Sequence, residues 1–456
     1  MTGKSLPGYR FQAFLLLCLC ISNLPLFAQA PPGDLSAGEV YTRITTSRIH
    51  KYKTVVANMP VEGTGLADSV AALQRIREVM TADLDFSLRF DMLNQRIDEL
   101  SIAALNSAKG AVDFKGWQTT GAEYLVAGSF FPLDRNINAE IRVYDLGLED
   151  LVFLKNYDVD LDNYRRLAHR ISDDIVLNVT GDRGVASTLI AFIRETTSQQ
   201  SEVFACDYDG YNLVQVTRDS SVARLPSWNP DGTKIAYTSY KGNVDLYTVE
   251  LETGKTGILQ AARGVDMAAS WCERNGFLAF SCGFSGNQEI YFLRPGEAKL
   301  QRLTFSYATD TEPSWSPNGE EITFWSDRAG NPHVFVMGAD GLNVRRLTFE
   351  SRNTTPSWRP LPYGDKILMT SEIKGVFQIA IIDTNGDNFI QLTTEGENRH
   401  PCWSPDGLHI VFASNRRGGY GSYEVYTMDW DGNSQRPLNQ TFRPGKEPSW
   451  SPFLLR

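Results

Sequence analysis

The chain has 456 residues, 42% of them hydrophobic and 21% charged, with a formal net charge of −10. That length and apolar share support two or three packed domains and exclude wholesale disorder. The acidic balance excludes nucleic acid or an anionic membrane as a general partner, because the long-range field repels both.

Residues 1–30 read as an export leader. Lys4 and Arg10 precede the apolar run 11–20, and Ala28-Gln29-Ala30 supplies the small residues of a cleavage site, after Ala28 or after Ala30. The run is too short for a spanning anchor, and no other stretch approaches about 20 apolar residues. Leu precedes both Cys18 and Cys20, which argues against a lipid anchor. The mature chain is therefore expected to be exported, without inserting in a membrane. Cys206, Cys272, Cys282 and Cys402 stand singly with no metal-ligand spacing, leaving free thiols and one disulfide both open.

Residues 31–181 are expected to form a small α/β domain. Val70, Leu73, Ile76 and Met80 make a helical stripe within 66–84. Segments 123–131, 137–144 and 151–157 alternate as strands do. A second amphipathic helix is expected over 164–179, with Leu167, Ile171 and Ile175 four residues apart and Gly181 as its stop. The join at 180–187 is too short to swing freely.

Residues 187–456 carry a repeat. Pro-Ser-Trp or a close variant ends at Trp228, Trp271, Trp315, Trp358, Trp403 and Trp450, with spacings of 43, 44, 43, 45 and 47. Each unit reads as four short strands, the length of one β-propeller blade. The fourth strand often ends Leu-Thr, as at Leu303-Thr304, Leu347-Thr348 and Leu392-Thr393. Strands two to four occur once more before the first Trp motif, at 189–217, while few residues follow Trp450. The expected architecture is an α/β N-terminal domain followed by an all-β six-bladed β-propeller closed by the C-terminal strand. Closure leaves no open edge between first and last blades. The tryptophans are expected to pack between blades. The Asp-Gly turns at Asp207-Tyr208-Asp209-Gly210, Asp340-Gly341 and Asp429-Trp430-Asp431-Gly432 lack EF-hand spacing and read as hairpins.

Catalysis finds no support. Gly283-Phe284-Ser285-Gly286 has the wrong spacing for a nucleophile turn, and the five histidines form no metal-binding pair. Glycine-rich phosphate loops are absent, so no cofactor or metal is expected. Binding fits better. Segments leading into the Trp strands gather around the channel mouth of a propeller. They carry Arg224, Asp266, Asp310 with Glu312, Asn353 with Thr355, Arg399 with His400, and Lys446 with Glu447. A rim that varies on a repeating scaffold suits recognition of a peptide or protein surface, against the plainer alternative of a solvated rim.

Several segments together resemble the TolB family of the Tol–Pal envelope system. They are Phe86-Ser87-Leu88-Arg89-Phe90-Asp91, Arg166-Leu167-Ala168-His169-Arg170-Ile171-Ser172-Asp173, the stretch 177–184 with Thr180-Gly181, Asp207-Tyr208-Asp209-Gly210-Tyr211-Asn212, and the closing Pro448-Ser449-Trp450-Ser451-Pro452. The resemblance implies a non-enzymatic, monomeric periplasmic adaptor. Its propeller would bind the outer-membrane lipoprotein Pal, and its mature N-terminus the inner-membrane protein TolA. By motif, Glu312 falls on a family Pal-contact position. Asp34, Glu39, Tyr41 and Arg43 lie where the family's TolA-binding stretch is found. The implied role is in outer-membrane invagination during division and in envelope integrity. An exported propeller hydrolase or lyase, or a glycan-binding propeller, are the alternatives.

Overall fold

The computed structural model describes residues 50–59, 67–93, 112–133, 136–294, 299–418, 421–438 and 445–454. The leader and Asp34, Glu39, Tyr41 and Arg43 lie outside these.

The N-terminal part is a five-stranded sheet, β1 (Tyr52–Val56), β2 (Phe90–Met92), β3 (Tyr124–Leu133), β4 (Asn136–Asp145) and β5 (Asp150–Asp160), in the order β2-β1-β3-β4-β5. β1 pairs parallel with β2 and β3, and the others pair antiparallel. Helices α1 (Ala67–Phe86) and α3 (Tyr164–Thr180) pack against each other, and their apolar residues join one core with those of the sheet. A short α2 (Phe114–Gln118) brings Trp117 to a second cluster with Val55 and Leu125. Ile76 and Met80 on α1, and Leu167, Ile171 and Ile175 on α3, are buried, as the helical spacing predicts. Gly181 ends α3 in the left-handed conformation at φ 79°, where a Cβ would be strained.

The join to the propeller is fastened. Asp173 accepts the backbone N–H groups of Ala186 and Ser187 at 2.8 and 2.9 Å. Gly184 lies so close that a Cβ there would sit 2.3 Å from Asp173 Oδ1.

Six four-stranded antiparallel sheets follow. The first blade is assembled from both ends of this region: Lys446–Trp450 pairs with β6 (Leu189–Thr197), followed by β7 (Gln200–Asp207) and β8 (Val214–Gln215). Trp450 lies opposite Ile190. Blades two to six begin with the inner strands Ala223–Trp228, Asp266–Trp271, Asp310–Trp315, Asn353–Trp358 and Asn398–Trp403. Each inner strand packs against the next around the ring.

The Leu-Thr ending has a local cause. Thr217, Thr304, Thr348 and Thr393 each accept, on Oγ1, a backbone N–H of their own blade's third strand, from Val203, Ile290, Val334 and Ile379 at 2.8–2.9 Å. A buried amide is thereby satisfied where the fourth strand leaves the ladder. The tryptophans pack and also staple: Trp228 and Trp403 donate Nε1–H to the carbonyls of Ser449 and Ser357 on preceding blades, both at 3.1 Å. The Asp-Gly segments are turns closed by glycines at positive φ, Gly210, Gly341 and Gly432. Cys206, Cys272, Cys282 and Cys402 are free thiols. Among the described residues, no helix is long and apolar enough to cross a membrane.

Candidate functional site

The third residue before each repeat tryptophan has a left-handed backbone: Leu225, Ala268, Glu312, Thr355, His400 and Glu447, with φ between 49° and 55°. None is glycine. The cause is a bulge in every inner strand. In the fourth blade, Thr311 pairs with Trp325 and Ser314 with Thr323, so Glu312 and Pro313 together oppose Phe324. The extra residue turns the chain and breaks the ladder six times at one level of the channel.

The displaced amides find two kinds of acceptor. The N–H of Ala268, Glu312 and His400 reaches the hydroxyl of Thr238, Ser281 and Thr370 on the preceding blade, at 3.4, 3.1 and 3.1 Å. Trp325 and Ile193 occupy the equivalent position in the fourth and first blades. There the carboxylate of the same blade substitutes. Glu312 accepts from Thr355 N–H at 3.1 Å, and Glu447 accepts from Leu225 N–H at 2.8 Å. Trp325 Nε1–H also donates to Glu312, at 2.9 Å.

Glu312 and Glu447 sit three blades apart, on opposite sides of the ring. Burial pushes the Glu312 carboxyl up to about 7, with the Glu447 charge adding to the rise. The hydrogen bonds from Trp325 and Thr355 and the charge of Arg224 oppose it. His400 titrates below its ordinary value because burial disfavours the imidazolium, although Glu447 pulls the other way. Arg224 forms an ion pair with Glu447, whose side chain is almost wholly buried.

The other rim candidates divide. Asp266, Asp310 and Asn353 are not exposed rim residues: each opens an inner strand and is fully buried. Asp266 accepts the N–H of Ala262 at 2.7 Å, Asp310 pairs with Arg328 at 2.5 Å, and Asn353 donates to the Glu350 carbonyl at 2.7 Å. They shape the loops behind the ring. Arg399 pairs with Glu397 and lies 3.7 Å from the ring centroid of Phe377, while Lys446 reaches Glu195 at 2.7 Å. Glu312 is half-buried and accepts from two N–H donors.

Sequence reasoning missed Leu225, Ala268, the hydroxyls and Trp325. Aligning the six units on tryptophan and counting three residues back marks the ring. The opposite mouth of the channel is lined by the six repeat tryptophans with their neighbouring serines and prolines.

Comparisons with known proteins agree with this architecture. The family model for the TolB amino-terminal domain matches residues 41–151, and that for the TolB beta propeller domain matches residues 176–454. A Tol-Pal system protein TolB from Desulfosudis oleivorans is 34% identical over 259 residues, covering 56% of this chain and 57% of the relative. A protein TolB homolog from Chlorobium chlorochromatii is 33% identical over 267 residues, covering 58% of each. The chain thus spans less than two thirds of the length of these curated relatives. The crystal structure of TolB from Acinetobacter baumannii superposes with a TM-score of 0.71 at 24% identity, covering 88% of this chain and 97% of that one, a likeness of fold.

Proposed function

The chain belongs to the TolB family, and on that premise we propose that it is a non-enzymatic periplasmic adaptor of the Tol–Pal system. The ring of the propeller receives the peptidoglycan-associated lipoprotein Pal. The mature N-terminal segment, with Asp34, Glu39, Tyr41 and Arg43, engages TolA. Through these two contacts the protein serves outer-membrane invagination during division and the integrity of the envelope.

The observation that carries this reading is the ring of six left-handed, non-glycine residues, two of them carboxylates on opposite sides. Such backbone strain costs about 1–3 kcal/mol per residue and clusters at ligand clamps. Arg224 pairs with Glu447, and the charges of Glu447, Arg224, Arg399 and Lys446 all act on His400, so the rim offers both charge signs to a folded partner. In this reading Asp266, Asp310 and Asn353 hold the loops that frame the partner, and Glu312, Thr355 and Glu447 meet it. Three of the five histidines make structural contacts, His169 with Asp83, His333 with Thr348 and His409 with the Phe86 carbonyl.

A calorimetric titration of the mature protein with the soluble domain of Pal tests the proposal. Glu312→Gln keeps an oxygen for the Trp325 and Thr355 donors and removes the charge. Binding should weaken by about tenfold or more, because a desolvated interface leaves the partner's group unpaired. Unchanged affinity in the folded variant would move the binding surface elsewhere.

A further inference from the structure

His169 on α3 points at the turn after β7, where the helix meets the first blade. Its Nδ1 lies 2.9 and 3.1 Å from the two oxygens of Asp83, which also accepts the Tyr208 hydroxyl at 2.7 Å. A carboxylate in that position holds a proton on Nδ1 and turns Nε2 away from Asp83. Nε2 is buried and has no hydrogen-bond partner, in a side chain 3% exposed. It is aimed between Asp207 Oδ2 at 3.8 Å and Asp209 Oδ2 at 3.9 Å. Those distances exceed a hydrogen bond. A lone pair facing two carboxylates is repulsive unless a proton on Nε2 or a cation lies between them.

We propose that His169 Nε2, an Asp207 oxygen and an Asp209 oxygen form a binding site for a divalent cation of the zinc class. The three ligand atoms lie within 4.8 Å of one another, wider than the ~3.3–3.6 Å between tetrahedral ligands about 2.0–2.2 Å from a shared ion, so the two carboxylates rotate inward to hold it. One imidazole and two carboxylates leave room for water in a fourth position. Asp83 behind the imidazole supplies the carboxylate–histidine support that metal-binding histidines use. The Asp207 and Asp209 side chains are oriented by Asn212 at 2.6 Å and by an ion pair with Arg165. The ion would fasten α3 to the first blade. This inference goes beyond the adaptor reading and does not depend on it.

The test uses the full mature chain without an affinity tag, stripped with a chelator. Zinc is titrated against a chromophoric competitor, and cobalt is followed by its visible absorption. The wild type should bind one equivalent of zinc and develop the cobalt bands. His169→Gln and Asp207→Asn should each weaken zinc at least a hundredfold, and Asp83→Asn by about 10–100-fold. If His169→Gln fails to fold, Asp207→Asn decides alone, its side chain lying nearer solvent. A wild type that binds no zinc, or a folded Asp207→Asn chain that binds it equally well, overturns the site. A proton on Nε2 would then be what separates the lone pair from the carboxylates.

Discussion

The backbone N–H of Thr355 donates to the Glu312 carboxylate at 3.1 Å, tying the left-handed residue of one blade to that of the next. Glu447 and Leu225 repeat the arrangement at 2.8 Å on the opposite side of the ring. The same groups that present charge to the channel therefore also satisfy its buried amides. A change at either glutamate acts on stability as well as on recognition.

Stability should carry the titration of Glu312. Unfolded, its carboxyl titrates near 4.5, and folded it is pushed up to about 7. The folded chain holds the proton more tightly, so the stability linked to this group is fully present below 4.5 and is lost as pH rises through 7. Urea midpoints measured at pH 5 and pH 8 should fall more in the wild type than in Glu312→Gln. Equal falls in the two proteins would show that Glu312 is ionised without cost.

Ring closure rests on the last strand. Trp450 is buried opposite Ile190 and donates Nε1–H to the Thr188 hydroxyl at 2.8 Å. Trp450→Ala should cost about 3–5 kcal/mol, the usual range for a buried tryptophan. Removing residues 446–456 should cost more, because it opens an apolar edge on the first blade and exposes the face of the sixth. Chemical denaturation followed by tryptophan fluorescence reads both; a truncated chain that unfolds like wild type would refute closure as a source of stability.

Phe86 couples α1 to the propeller. Its ring stacks on His409 at 3.9 Å between centroids and 14° between planes, with the Arg436 guanidinium 4.7 Å from the ring centroid. His409 Nε2–H donates to the Phe86 carbonyl at 2.7 Å. Phe86→Ala should lose about 3–5 kcal/mol from the seam while leaving the N-terminal core, which does not contain Phe86, intact. Calorimetry should then resolve two unfolding transitions where the wild type has one. A single transition, shifted as a whole, would mean that the seam is held elsewhere.

The sequence by itself determined the propeller, the number of blades and the strand that closes it. A blade is a local unit, and six tryptophans in register state its length without reference to anything distant. The two long helices of the N-terminal part were equally legible, because the spacing of Leu167, Ile171 and Ile175 is a property of one segment. Only the tertiary structure decided what the rim residues do. Asp266 and Glu312 differ little in a sequence, yet one opens a strand and is buried while the other sits in a bulge and faces the ring, half-buried. It alone brought His169 to Asp207 and Asp209, residues whose spacing along the chain signals nothing. Burial and charge pairing depend on which blade or helix packs alongside, and that is a relation between segments rather than a pattern within one.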